Sequence, residues 1–99
     1  MSVEPIRYLV AFHAKPGKGR ELRDVLEALL PELEMEDDCI EAALWQDNAS
    51  PDRFLLVEHW MSAAGHDAFL QALDDVGAMD SLEQVLAEPP ETHSYLRIT

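Results

Sequence analysis

Glu58 and Trp60 are the two residues of this chain whose types and spacing suit joint chemistry: two positions apart in an extended segment, they project to the same side. A carboxylate on an apolar strand face loses hydration, holds its proton more tightly, and becomes a better base near neutral pH. The alternatives are a Glu58 that pairs with an arginine or lies solvated at a pocket rim. Trp60 offers a flat face for stacking on an aromatic ligand, although buried tryptophans more often serve as plain core. His66 follows six residues later, at the start of a helix, and could donate to or deprotonate a phenolic oxygen; its alternative is an exposed surface histidine. His13, His59 and His93 could share a metal only if the strand register brings them together, and no His-x-His pair supports that. Packing in an interface is their default reading. Cys39, the single cysteine, has nothing basic beside it and reads as a small buried hydrophobe. Gly17-Lys18-Gly19 is too short for a phosphate loop and lacks a following Ser or Thr, and there is no Gly-x-Ser-x-Gly; neither a nucleotide cofactor nor a serine nucleophile is indicated.

These residues need elements to hold them. From Ile6 to Ala14 the chain alternates, with Ile6, Tyr8, Val10 and Phe12 facing one way and Arg7, Leu9, Ala11 and His13 the other, which predicts a first strand closed by the turn at Lys15–Gly19. Leu22, Val25, Leu26, Leu29, Leu30 and Leu33 then recur at helical steps, predicting an amphipathic helix with a bend or early stop near Pro31. Ile40, Ala42 and Leu44 alternate with Glu41, Ala43 and Trp45 in a second strand, ended by the turn formers Asp47–Asp52. Phe54 to Met61 predicts a third, central strand, with Phe54, Leu56, Glu58 and Trp60 on one face and Leu55, Val57, His59 and Met61 on the other. Ser62 can cap a second helix whose inner stripe, Gly65 or His66, Phe69, Leu70 and Leu73, breaks near Gly77. It continues through Met79, Leu82, Val85 and Leu86 until Pro89-Pro90, and Thr92 to Ile98 forms the last strand. The order βαββαβ predicts an α+β, ferredoxin-like fold: a four-stranded antiparallel sheet with two helices on one face. The other face carries Leu9, Ala11, Ala43, Trp45, Leu55, Val57 and Met61, an apolar patch that predicts packing against a second copy as a homodimer.

Length and charge set outer bounds. Ninety-nine residues, 47% hydrophobic, suit a single domain spanning 1–99. Twenty acids against seven bases give a net charge of −13, which repels phosphate backbones and anionic membranes, so neither nucleic acid nor membrane is expected as a partner. No apolar run approaches the roughly 20 residues that span a bilayer, and Met1–Tyr8 lacks a signal-peptide pattern. With a lone cysteine, this predicts a cytoplasmic protein in a reducing compartment. Between Arg53 and Arg97 there is no Lys or Arg, while acids are frequent there, which predicts a solvated acidic surface on that half.

The run Val10-Ala11-Phe12-His13-Ala14-Lys15-Pro16-Gly17-Lys18, Cys39 after an acidic stretch, and Arg53-Phe54-Leu55-Leu56-Val57-Glu58-His59-Trp60-Met61-Ser62 with its Glu-x-Trp-x-Ser ending together resemble the antibiotic biosynthesis monooxygenase family over roughly residues 6 to 75. The resemblance implies a dimeric α+β barrel. It also implies one of several activities: cofactor-independent oxygenation of quinols and polyketide phenols, haem degradation, or isomerisation, among which membership alone does not select. Where many members carry a histidine nine residues after the tryptophan, this chain has Phe69. The positions that haem-degrading members fill with asparagine and an axial histidine fall near Val10 and Met79, so no haem is expected, and no flavin or metal either. Cofactor-free oxygenation requires a base and a dry aromatic pocket in which the substrate anion passes an electron to oxygen. The expected site therefore has Glu58 and His66 as catalytic groups, with Tyr8, Val10, Phe12, Leu56, Trp60, Phe69 and Met79 around a small aromatic, quinol or polyketide-like substrate between helices and sheet. A non-catalytic ligand-binding dimer and an isomerase of the same fold are the alternatives.

Overall fold

A computed structural model describes residues 4–99. The chain runs β1 (Ile6–His13), α1 (Gly19–Glu34), β2 (Cys39–Gln46), β3 (Arg53–Trp60), α2 (Ala63–Asp75), α3 (Ala78–Val85) and β4 (Glu91–Leu96). The strands form one antiparallel sheet in the order β2-β3-β1-β4. Because β1 and β2 both lie antiparallel to β3 between them, they are parallel to each other, and α1 makes the crossover of a split βαβ unit. This is the α+β, ferredoxin-like arrangement, with α2 and α3 standing where one interrupted helix is expected.

Strand alternation sorts the two faces. Tyr8, Val10 and Phe12 of β1 and Phe54, Leu56, Glu58 and Trp60 of β3 are all buried toward the helices. Leu22, Leu26 and Leu33 of α1 have no exposed surface and seal that layer. Leu33 also explains why α1 does not stop early: the helix continues past Pro31 to Glu34. Burying a leucine contributes about 1.5–3 kcal/mol, comparable to the roughly 3 kcal/mol cost of an interior proline. The break between α2 and α3 is set by Gly77, whose φ of 73° is a left-handed conformation that L side chains disfavour. Only an aspartate oxygen lies near where its Cβ would be, at 3.9 Å, so the requirement for glycine comes from the backbone and not from crowding.

Three boundaries differ from expectation, each for a reason of pairing. In β2 the register shifts between Cys39, opposite Trp60, and Glu41, opposite His59. Ile40 is thus the extra residue of a bulge and stays exposed, while Cys39 takes the core side that alternation assigns to Ile40. α3 ends at Val85 and not at Pro89-Pro90, because Leu86 turns to extended backbone and bridges Ala14. Lys15 N–H donates to Val85 O at 2.9 Å and Ala87 N–H to His13 O at 2.8 Å, fastening the end of β1. β4 stops at Leu96 and not at Ile98 because Leu96 pairs with Ile6, the first residue of β1.

The second sheet face is uncovered. Leu9, Ala43, Leu55 and Val57 are partly buried there only by their neighbours, and Trp45 and Met61 are exposed. Register places Arg7, His59, His93 and Tyr95 on the same face, giving the apolar centre a polar surround.

Candidate functional site

Glu58 sits mid-sheet, opposite Tyr8 on β1 and Ala42 on β2, and only 4% of its surface is exposed. Neither alternative considered for it holds: it is not solvated, and the group that meets its carboxylate is the indole of Trp60, whose Nε1–H donates to Oε1 at 3.0 Å. Burial pushes the Glu58 carboxyl above the usual carboxylate range, and the indole hydrogen bond pulls it partly back. Trp60 has no exposed surface, so its hydrogen bond is made inside the protein, where such a bond is least screened.

His66 is 3% exposed, which rules out the alternative of a surface histidine and leaves it on the inner stripe of α2. Its ring stacks on Tyr8 with centroids 3.6 Å apart and planes 11° from parallel, and Trp60 meets it edge-on at 5.6 Å. A local cap and a distant contact bring it down. Ser62 Oγ accepts from Gly65 N–H at 3.1 Å, fixing the first turn of α2. Gly65 then lies so close to Asp38 that a Cβ would stand 2.7 Å from its carboxylate oxygen, so a larger residue would lift the turn that carries His66. Nδ1 of His66 is buried without a hydrogen-bond partner, with Asp67 Oδ1 3.6 Å away. Burial lowers the imidazole's proton affinity, with Asp67 acting in the opposite sense. Tyr8 is pushed up by burial and by the charges of Asp67 and Glu58. Burial therefore moves a carboxyl up and an imidazole down, bringing their proton affinities toward each other at one aromatic cluster.

Beside this cluster is a cavity of about 260 Å³ between sheet and helices. Val10, Phe12, Leu56, Phe69 and Met79 line it, with Glu58 and His66 as its ionisable groups. Tyr8 and Trp60 do not reach it; they stand behind His66 and Glu58, so the geometry gives Trp60 no open face for stacking. Sequence reasoning missed as wall residues Leu29 and Leu33 of α1, Leu70, Leu73 and Leu82 of α2 and α3, Pro90 just before β4 and Thr92 within it. The leucine stripe of α1 is visible in the sequence, but which of its residues border a void and which fill the core is not.

A larger groove of about 750 Å³ opens on the far side of the sheet among His13, Trp45, Arg53 and Glu88. It holds no buried ionisable group, which separates it from the Glu58 cavity. The three other histidines are not brought together: His13 pairs with Glu88 at 3.0 Å, Arg7 reaches His59 at 3.5 Å, and His93 pairs with Glu91 at 2.8 Å. Among the described residues no group of three His, Cys, Asp or Glu is placed to hold a metal ion. Burial pushes the Cys39 thiol up, away from reactive thiolate. Among the described residues no helix is long and apolar enough to cross a membrane.

The sequence matches the profile of the antibiotic biosynthesis monooxygenase family over residues 5–76. No curated protein matches it. Among solved structures, a protein of Pseudomonas aeruginosa is 20% identical with a TM-score of 0.89, the match covering 100% of this chain and 99% of that one. A conserved protein of Methanosarcina mazei is 22% identical with a TM-score of 0.83, over 94% of this chain and 92% of that one. A protein of Bordetella bronchiseptica, named as a candidate antibiotic biosynthesis monooxygenase, is 22% identical with a TM-score of 0.81, over 97% and 99%. At these identities the likeness establishes the fold.

Proposed function

The chain belongs to the antibiotic biosynthesis monooxygenase family, and we propose that its helix-side cavity binds a small phenol or hydroquinone and oxygenates it without a cofactor. The observation that carries this reading is the Glu58 carboxyl, 4% exposed and held by one indole N–H, on the wall of a largely apolar cavity. An apolar cavity of about 150 Å³ accommodates benzene, so about 260 Å³ suits one substituted ring or two fused rings and is too small for a four-ring polyketide. Glu58 takes the phenolic proton, with His66 as the alternative acceptor. The phenolate passes one electron to O₂, the resulting carbon radical and superoxide join in a C–O bond, and the peroxide loses water. A phenol with a free para C–H plus O₂ gives a quinone plus H₂O: the ring is oxidised by four electrons, one oxygen atom becomes the new carbonyl, and the other leaves as water. Apolar walls favour neutral O₂ and exclude water from the radical pair.

Phe69, on the cavity wall at the position where the family resemblance implies a histidine, favours one second reading, a dimer that binds such a ligand without turning it over. Oxygen uptake measured with a panel of one- and two-ring hydroquinones and phenols separates the two. Stoichiometric consumption of O₂ with quinone formation is expected; saturable binding with no uptake above the uncatalysed rate leaves the binding reading.

Trp60 is proposed as a positioning residue that acts through Glu58. Trp60→Phe keeps a ring in the core and removes the donor, and a hydrogen bond to a charged group contributes about 1.5–3 kcal/mol. The ionised base is then less favoured, so the acid limb of the rate profile moves to higher pH and turnover at pH 7 falls about tenfold or more. KM changes little, because Trp60 does not line the cavity. A loss that is uniform across pH would make Trp60 packing alone.

A further inference from the structure

Resting on the reading of the cavity as the ligand site, we infer that its ligand carries no fixed negative charge: the site takes an uncharged ring hydroxyl and rejects carboxylated, sulfated, phosphorylated and coenzyme A-linked congeners of the same skeleton. The basis is where the chain puts its cations. There are seven Lys and Arg residues. Arg7 and Arg53 point to the uncovered sheet face, away from the cavity, by strand parity with Leu9 and Leu55. Lys15, Lys18, Arg20 and Arg23 lie in the β1–α1 turn and the first half of α1, whereas α1 meets the cavity through Leu29 and Leu33 near its other end. Arg97 follows β4 and does not line the cavity. Everything from Phe54 through Leu96, which supplies most of the wall, contains no Lys or Arg at all. Among the described residues, no cation lines the cavity.

The polar groups that do line it are Glu58, His66 and Thr92. Glu58 is an acceptor when ionised, and His66 is held toward its neutral form by burial. A hydroxyl that donates a hydrogen bond suits both. A carboxylate or phosphate on the ligand would be desolvated among leucines and phenylalanines, beside a carboxyl, with no positive partner, and the net charge of −13 opposes its approach from a distance. The absence of Lys and Arg between Arg53 and Arg97, which sequence alone suggests is only an acidic surface, thus also sets the chemistry that the interior will accept.

Isothermal titration with 1-naphthol, 1-hydroxy-2-naphthoate and an aminomethyl-1-naphthol tests the inference on one two-ring skeleton, with amide shifts mapping the site. Binding of 1-naphthol at Val10, Phe69 and Leu73 is expected, with the carboxylate at least about 100-fold weaker. Met79→Lys places a cation at the edge of the wall on a chain long enough to keep its charge near water, and the gap between naphthol and naphthoate should then narrow by about tenfold or more. Equal or tighter binding of the carboxylate by the unaltered protein overturns the inference and leaves the cavity reading intact. Tighter binding of the amine than of 1-naphthol also overturns it, by making Glu58 a counter-ion. If none of the three binds at the mapped residues, the cavity reading itself fails and the inference fails with it.

Discussion

Glu58→Gln is expected to lower turnover by about 10²–10⁴-fold, the usual contribution of a positioned general base, while ligand affinity changes little. Glutamine has nearly the same shape, and its carbonyl oxygen can still accept from Trp60 Nε1–H, so the aromatic cluster stays in place. What disappears is the group proposed to take the phenolic proton. A second readout needs no substrate. The folded protein holds the Glu58 proton more tightly than the unfolded chain does, since burial raises this carboxyl above its ordinary 4.5. Stability from this group is therefore complete below that value and is lost as pH rises through the raised, folded-state one. Glutamine carries no such proton. The melting temperature of Glu58→Gln minus that of the unaltered chain should increase from about pH 4 toward neutrality and then level off. His66 is present in both proteins, so its own opposite contribution, lost as pH falls below its ordinary range, largely cancels in that difference. A flat difference across pH would mean that Glu58 is not held in a dry setting. Unchanged turnover with a rising difference would make it a buried carboxyl without a chemical role.

Much of this arrangement is legible in the amino-acid sequence. Two-residue alternation suffices to put Glu58 and Trp60 on the side of Tyr8, Val10 and Phe12, because a strand fixes side-chain direction regardless of what lies above it. The interruption of the apolar helical stripe at Gly77 is readable in the same way. What alternation cannot supply is the orientation of an indole about its own side-chain bonds, and so Trp60 reads as a stacking face when it is a hydrogen-bond donor to Glu58. For His66 the choice between site and surface stays open in the sequence for a different reason. Its burial depends on how closely Gly65 approaches Asp38, a contact between segments distant in sequence, and a glycine's lack of a side chain carries no periodic signal. The ends of α3 and β4 depend likewise on partners, Ala14 and Ile6, that lie at the two ends of the first strand. Signals internal to one element are readable; signals that consist of one element meeting another are not.

The same alternation lets a single residue test self-association without disturbing the cavity. Val57 lies between Leu56 and Glu58 in sequence but points to the opposite, uncovered face, where it neighbours Leu9 on β1 and Ala43 on β2. We propose that this face is covered by a second copy, as the family resemblance implies. Sedimentation or light scattering should then report twice the 11.1 kDa chain mass. In a symmetric pair, any residue near the axis meets the same patch of its partner, so Val57→Asp introduces two carboxylates into one dry contact. Each is desolvated without a partner, a cost of several kcal/mol in all. That weakens association by about 10³-fold or more, since every 1.4 kcal/mol is about tenfold, and the variant should sediment as a monomer at micromolar concentration. On the free chain the introduced carboxylate meets water at a half-buried position, so the circular dichroism spectrum should persist, and 1-naphthol should still bind because the cavity lies across the sheet. An unaltered chain that sediments at 11.1 kDa would leave the open face without a second copy to cover it. Loss of ligand binding in a folded, monomeric Val57→Asp would mean instead that the site on the far side depends on the partner.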